Sequence, residues 1–517
     1  MSLPVQRSAS DQSMPSRQVI RYKIPHHSSS DSGSSAPAPV LVLARTGFII
    51  RNLLLGKFAE AVTAHRPLVV TVPNPTDPRL LRVLGGQPIR LVEHFSEPPA
   101  ADSRCAHVFS WHAFMYRFKE AEKGTHSLET QTRLFESKHG WRGRTRIALL
   151  HAVGHCLKHA RLLPVVEDRY LAAIGRHPLT QQWRALIEQV QPCAVVSTML
   201  THCALSEPSA DLPAVLAAHQ LGIPVGTLVQ SWDNLSSKTS VLPPWLDWYW
   251  TWSETMTREL LALNPRIRAE KVAVVGSPQF DFHLAPELLE DRATYCRRLG
   301  LDPSQPYIVI GTGTRKWLPN EPAGVVQIVD ALSRRVPHCQ VLIRLHPKDD
   351  GRRWREHAEF FARHRTVLHH TSPPTHMDNG GFVPPTDFFR DQINCLKHAA
   401  VVLNTASTLT VDAAILDRPV ICLGYDAQRD PRFPNGRALE YSQSNHYRTL
   451  VETGGVRVVR ALEECLAAIE HYLRHPECDR EGRDKIVRCV TARVGGAGER
   501  LAEEVLSLAD CCNSVKA

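Results

Sequence analysis

The stretch VLVLARTGFIIRNLLLGKFAEAVTAHRPLVVTVP, Val40 to Pro73, carries the architecture in miniature. VLVLA is a short unbroken apolar run, the pattern of a strand buried on both faces. Ile50, Leu53, Leu54, Phe58 and Val62 then recur at helical spacing, and PLVVTVP reads as a second buried strand. Strand, helix and strand with short connections is the βαβ unit of a parallel sheet.

The same alternation continues outward. Residues 1–38 are rich in Ser and Pro, lack a periodic apolar face and predict a disordered tail. From 39 to 290 the pattern predicts one α/β domain, with a helical insertion around 105–190 that offers no chemistry, then strands in CAVVST, IPVGTLV, LDWYWTW and KVAVVG. YIVIGTGT, from Tyr307, restarts the scheme, so a second α/β domain spans 305–490 and a C-terminal helix covers 491–517. A 517-residue chain exceeds the size at which single cores divide. The reading is two Rossmann-like domains facing each other across a cleft, with ligand at the carboxyl ends of the strands.

Composition narrows the partner. The formal charge of +9 favours an anion such as a nucleotide or phosphorylated substrate, but Lys and Arg form no single stripe interleaved with aromatics, which argues against nucleic acid. Thirteen cysteines without repeated C-x-x-C spacing read as reduced thiols of a cytoplasmic protein. No apolar run is long enough to span a bilayer, which leaves peripheral membrane association open. His364, His369, His370 and His376 with Asp378 match no zinc spacing, so neither metal nor cofactor is expected.

Three strand ends in the second half carry phosphate-compatible groups. AVVLNTASTLTVDAAILDRPVICL places Asn404 at a strand end and Thr405, Ser407 and Thr408 at the start of a helix, where unpaired amides and the helix dipole favour anions; helix capping by Ser407 is the plainer alternative. GTGTRK supplies Gly311, Thr312, Gly313 and Thr314, followed by Arg315 and Lys316, and RLHPKDD ends its strand in Arg344, His346 and Lys348.

These motifs, with DAAILDRPVI behind the helix start, resemble the nucleotide-sugar half of GT-B-type glycosyltransferases, nearest to CDP-glycerol glycerophosphotransferases and capsule polysaccharide transferases. RTGFIIRNLL, SWDNLSSK and VVGSPQFD are similar to the N-terminal halves of related transferases. The resemblance covers about 40–510. It implies that His346, Ser407 and Thr408 meet the donor phosphates, that Gly311 to Thr314 face the diphosphate, and that Asp412 stands where many such enzymes hold the donor ribose with a glutamate. The implied activity is transfer of a sugar, or a glycerol phosphate, from a nucleotide-activated donor to a cell-envelope or polysaccharide acceptor.

The acceptor side falls on VGTLVQSWDNLSSKTS. Five of ten tryptophans lie between 232 and 252 beside Asp233, Asn234 and Lys238. An aromatic face stacks on a sugar while carboxylates and amides bond its hydroxyls. Trp232, Asn234 and Lys238 therefore read as acceptor contacts, and Asp233 as the general base with His202 as rival. The period-two spacing of Trp248, Trp250 and Trp252 equally fits one packed strand face. Arg45 and Arg51, flanking the first βα loop, suit a phosphate of the acceptor, a glycan or a lipid-linked one. Two other functions stay open: nucleotide-sugar 2-epimerisation, which needs more acids than Asp233 and Asp281, and nucleotide binding without turnover.

Overall fold

The computed structural model describes residues 37–95, 115, 140–143, 145, 148–149, 152–202, 209–239, 241–315, 317–369, 383–385, 387–428, 430, 433 and 436–516. The expected tail therefore lies outside the described residues, as do His370, His376, Asp378 and Lys316 and much of the expected helical insertion. Ala38–Ala517 form one compact unit built on two sheets.

The first sheet has seven strands: β1 (Val40–Leu43), β2 (Leu68–Val72), β3 (Ile89–Glu93), β4 (Ala194–Ser197), β5 (Val225–Leu228), β6 (Trp248–Thr251) and β7 (Val272–Val274), in the order β3-β2-β1-β4-β5-β6-β7. The second has six: β8 (Tyr307–Gly311), β9 (Gln340–Arg344), β10 (Thr366–His369), β11 (Val401–Asn404), β12 (Val420–Leu423) and β13 (Val456–Val459), in the order β10-β9-β8-β11-β12-β13. Every pairing is parallel. The central strands β1, β4, β8 and β11 are buried throughout, which is why they read as unbroken apolar runs. The edge strands β3 and β13 are not legible in the sequence: IRLVE is half-buried or exposed throughout, and VRVV is a four-residue run in which Arg457 interrupts the apolar pattern. Strand order reverses between β1 and β4 in one sheet and between β8 and β11 in the other, so each half has the crevice in which doubly wound sheets bind ligands.

Residues 278–299 lie between the strands of the two halves and form two short 3₁₀ turns and the helix Arg292–Leu299. The closing helix, Ala497–Lys516, starts six residues later than expected and packs on the N-terminal half, against the helix Lys57–Thr63. Asp281 fixes its start: its two carboxylate oxygens accept from the amides of Ala497 (3.0 Å) and Gly498 (2.7 Å). That capping role removes Asp281 from the list of acids available to chemistry.

Most of the tryptophan cluster is core. Trp250 and Trp252 are buried, and Trp245 stacks on His219 with ring centroids 3.7 Å apart. The Trp250 ring lies over Gly226 of β5 so closely that a Cβ there would sit 2.0 Å from Cη2. Gly226→Ala should lower stability by about 1–3 kcal/mol, the usual cost of overpacking, and a thermal melt reads it directly; an unchanged Tm would mean that the indole can rotate away.

Candidate active site

Loops of the two halves meet: Arg51, after β1, lies against Phe388 and Phe389, and Trp232, after β5, reaches Thr408, after β11. On the N-terminal side, Arg51 sits in a π-helical turn, Ile50–Leu54, of the kind often found at functional sites. Its guanidinium donates to Asn52 Oδ1 (2.8 Å) and Gln279 Oε1 (3.3 Å) and lies 5.2–5.4 Å from the ring centroids of Phe48, Phe388 and Phe389, the last two from the C-terminal half. Burial lowers its pKa to about 10; Asp412 opposes that shift and Arg344 adds to it.

Arg344 is buried and only partly satisfied. Its Nη2 donates to Gln392 Oε1 at 3.2 Å, while its Nε has no hydrogen-bond partner. A buried charged donor without a protein acceptor is uncommon and calls for a water or an anion as partner. Asp412, the residue expected at the donor ribose, is instead buried 3.0 Å from Nε2 of His283, within contact distance but off the line of a hydrogen bond, since both His283 nitrogens lack partners.

His346 presents a defined tautomer. Its Nδ1 accepts from the Lys348 amide at 3.0 Å, which leaves the proton on Nε2. Burial, then Lys348 and Arg344, lowers its pKa to about 4, so it acts near neutrality as an uncharged donor. His202 is similar: burial, with Lys238, Lys348 and Arg45, holds it at about 4 against the opposing pull of Asp233. These mutual effects place Arg45, His202 and Lys238 of one half beside Lys348 of the other.

The SWDNLSSK loop makes a further contact between the halves. Trp232 Nε1 donates to Thr408 Oγ1 at 3.1 Å, and its indole meets the His446 ring edge-on at 5.0 Å. Burial works against the charge of Asp233, but Lys238 at 2.9 Å, His446 and the Ser231 hydroxyl outweigh it and hold the carboxyl well below the usual range. Asn234 is fully buried, its Nδ2 donating to Thr201 Oγ1 at 3.3 Å, and so supports the loop from beneath. His446 went unnoticed in the sequence because nothing in SQSNHYRT marks it; only the fold carries it to Asp233.

At the helix Leu409–Ile415, Asn404 shapes the turn: its Oδ1 accepts from the Ser407 amide at 3.0 Å, and Ala406 takes a left-handed φ of 45°, a strained conformation of the kind concentrated at functional sites. Ser407 Oγ accepts from the Leu409 amide (3.2 Å), the local capping role, whereas Thr408 keeps its own O–H for donation. In the loop after β8, Thr312 Oγ1 accepts from the His346 amide (3.0 Å). The Gly313 amide, expected to face a diphosphate, donates instead to both oxygens of Glu321 (2.9 and 3.0 Å), which with Asp349 holds Arg353 at 2.8 and 2.7 Å. Thr314 accepts from the amides of Trp317 and Leu318 through its carbonyl, and Arg315 is exposed. Beside this loop, Glu321, Thr405, Tyr425, Asp426 and Arg437 line a small open pocket. Of the histidines weighed as metal ligands, His369 bonds Asp391 (2.7 Å) and His364 bonds the Phe360 carbonyl (2.7 Å).

Burial raises the Glu321 pKa to about 7 despite Arg353 and the Gly313 amide. The folded state therefore holds this proton more tightly than the unfolded chain, where the group titrates near 4.5. Its contribution to stability is complete below about pH 4.5 and is lost as pH rises through 7. A series of melts from pH 5 to 8 should show wild type losing stability relative to Glu321→Gln; parallel curves would show that Arg353 keeps Glu321 ionised throughout.

No family model matches the chain, and no curated protein matches it in sequence. Solved structures do match in fold. The UDP-N-acetylglucosamine 2-epimerase from Rickettsia bellii aligns at 12% identity over 93% of this chain and 98% of its own, with a TM-score of 0.50. A UDP-GlcNAc 2-epimerase from Neisseria meningitidis bound to UDP-GlcNAc aligns at 13% over 91% and 100% (TM-score 0.49), and a glycosyltransferase from Rickettsia africae at 11% over 92% and 98% (0.47). Two parallel sheets with facing reversal points, closed by a C-terminal helix that returns to the first half, give this chain the GT-B-type fold.

Proposed function

We propose that the protein is a metal-independent glycosyltransferase that moves a sugar from a nucleoside-diphosphate donor to a cell-envelope or polysaccharide acceptor. The observation that carries this reading is the orphaned Nε of buried Arg344, in a cleft where Arg45, Arg51, Lys238 and Lys348 gather from both halves. A diphosphate supplies the missing acceptor. His346 Nε2–H and the Thr408 hydroxyl would donate to it, and the surrounding cations would stabilise the charge that develops on the leaving group.

In the transfer step an acceptor hydroxyl oxygen bonds to the anomeric carbon as the bond from that carbon to the diphosphate oxygen breaks, and the hydroxyl proton passes to a base. Asp233 is committed to Lys238, Ser231 and Ser237, which suits it to orient the acceptor. His202, neutral and the more basic of the two, takes the proton.

A second reading is 2-epimerisation of the donor sugar, the activity named for the Rickettsia bellii and Neisseria meningitidis proteins. It needs acids free to exchange protons at the sugar. Asp233, Asp281 and Asp412 are each engaged by a salt bridge, a helix cap or His283, which favours transfer.

Thermal-shift titration with CDP, UDP, GDP and ADP, in magnesium and in EDTA, tests the donor site. One nucleotide should raise Tm in both media, and His346→Ala should lose that shift while still folding; no shift with any nucleotide removes the diphosphate cleft. Once a donor is found, incubating it without acceptor separates the two activities, since only the epimerase isomerises the sugar under those conditions. For the base, His202→Gln should lower kcat by roughly 10²–10⁴ and spare the nucleotide shift. The wild-type kcat/KM profile should fall as pH drops through about 4, where His202 becomes protonated and cannot accept; the variant should lack that limb. Asp233→Asn with near-normal turnover would remove Asp233 from the mechanism.

A further inference from the structure

Trp232, Trp250 and Trp252 are all buried, yet their indole N–H groups differ in use. Trp250 Nε1 and Trp252 Nε1 have no hydrogen-bond partner, whereas Trp232 Nε1 donates to Thr408 Oγ1, 176 positions along the chain and in the other half. At 8% exposure the Trp232 ring offers little face to an acceptor sugar. The His446 ring, also from the C-terminal half, meets it at 5.0 Å with 74° between the two planes. The contribution of Trp232 to the cleft is therefore a bond to a hydroxyl rather than a stacking platform.

Thr408 stands at the N-cap of the helix Leu409–Ile415, where a threonine hydroxyl ordinarily accepts from an amide of the first turn. It makes no such bond, and the local capping falls to Ser407 Oγ, which accepts from the Leu409 amide at 3.2 Å. Thr410, two residues on, is committed to Asn404 and to the Tyr447 hydroxyl at 2.8 Å. The Thr408 oxygen is left to the indole. A hydroxyl carries one proton and two lone pairs, so an N–H seated on one lone pair restricts the directions in which the proton can turn. Thr408 is only half-buried, which leaves that proton room to meet a ligand.

The loop that carries the indole is braced. The Asp233 carboxylate accepts from Ser231 Oγ at 2.5 Å and pairs with Lys238 at 2.9 Å. Its carbonyl accepts from Ser237 Oγ at 2.6 Å, and Asn234 Nδ2 donates to Thr201 Oγ1 beneath the loop at 3.3 Å. An N–H mounted on such a support is fixed in place, as a group that orients another must be.

We infer that Trp232 is a positioning residue for the donor: its N–H occupies one lone pair of Thr408 Oγ1, turns the hydroxyl proton toward the bound phosphate, and holds the loop bearing Asp233 in register with that phosphate. The ligand class is a nucleoside diphosphate, and the inference rests on the donor-site reading, which gives Thr408 a phosphate to meet. Trp232, expected from the sequence as an acceptor contact, thereby serves the donor. Hydrogen bonds from a hydroxyl to an anionic oxygen are among the stronger ones, so misdirecting this proton weakens binding.

The test is a double-mutant cycle, read by calorimetric titration of the full chain with whichever of CDP, UDP, GDP and ADP gives the largest thermal shift. Trp232→Phe removes the N–H and keeps an aromatic ring. Half-buried Thr408 can take a water in its place, so the variant should fold, and a melt without nucleotide checks this. Its Kd should rise about tenfold. Thr408→Val should weaken binding by about the same factor, while Thr408→Ser, which keeps the hydroxyl, should bind within about twofold of wild type. In the Thr408→Val background Trp232→Phe should have no further effect, because the group it orients is gone; an indole that only packs would cost the same in both backgrounds. Equal losses in the two backgrounds, or an unchanged Kd in Trp232→Phe, would overturn the inference and leave the donor site standing. Failure of wild type to bind any of the four nucleotides would remove the donor-site reading, and the inference with it. Should Trp232→Phe not fold, the Thr408 variants carry the test: wild-type affinity in Thr408→Val would overturn the inference, since no hydroxyl would then need orienting.

Discussion

Every strand of both sheets runs parallel, and a parallel sheet is stable only when both faces are covered. Val40–Leu43, Ala194–Ser197, Tyr307–Gly311 and Val401–Asn404 are accordingly buried along their whole length and can offer no chemistry from their faces. Only the loops at their carboxyl ends remain available. With the closing helix pinned to the first half by Asp281, the two sets of loops face each other, and Trp232 meets Thr408 across the gap. The position of the cleft thus follows from the cost of exposing a parallel sheet.

Within that cleft, burial and like charge act together. Arg45 and Arg51 follow β1, Lys238 follows β5, and Arg344 and Lys348 stand at the end of β9, while the carboxylates near them are already engaged: Asp233 by Lys238, Asp412 beside His283. The depressed pKa values of His202 and His346 come first from burial, which disfavours the charged imidazolium, and then from the neighbouring cations, which add to it. Such preorganisation is expensive without an anion and is the condition for stabilising one that forms during reaction.

The tryptophan cluster separates two uses of one residue type. Trp250 fills the space over Gly226 and Trp252 packs inside the core, the plain consequence of strand alternation on a covered sheet. Trp232, eighteen positions earlier, spends its indole N–H on the opposite half of the molecule.

The sequence by itself determined the two α/β halves and their central strands, because buried parallel strands and the helices between them leave local apolar patterns. It also singled out Arg344, the last residue of β9, and His346, Thr408 and Trp232 in the loops that follow β9, β11 and β5. It did not show the edge strands β3, which is half-buried or exposed throughout, and β13, where Arg457 interrupts a four-residue run. Nor did it show that Glu321 takes the Gly313 amide, that His283 stands against Asp412, or that His446 reaches Asp233. Those are pairings between residues 8, 129 and 213 positions apart. They are set by how helices and halves pack, and only the tertiary structure, which decides what each charged group is buried against, could assign them.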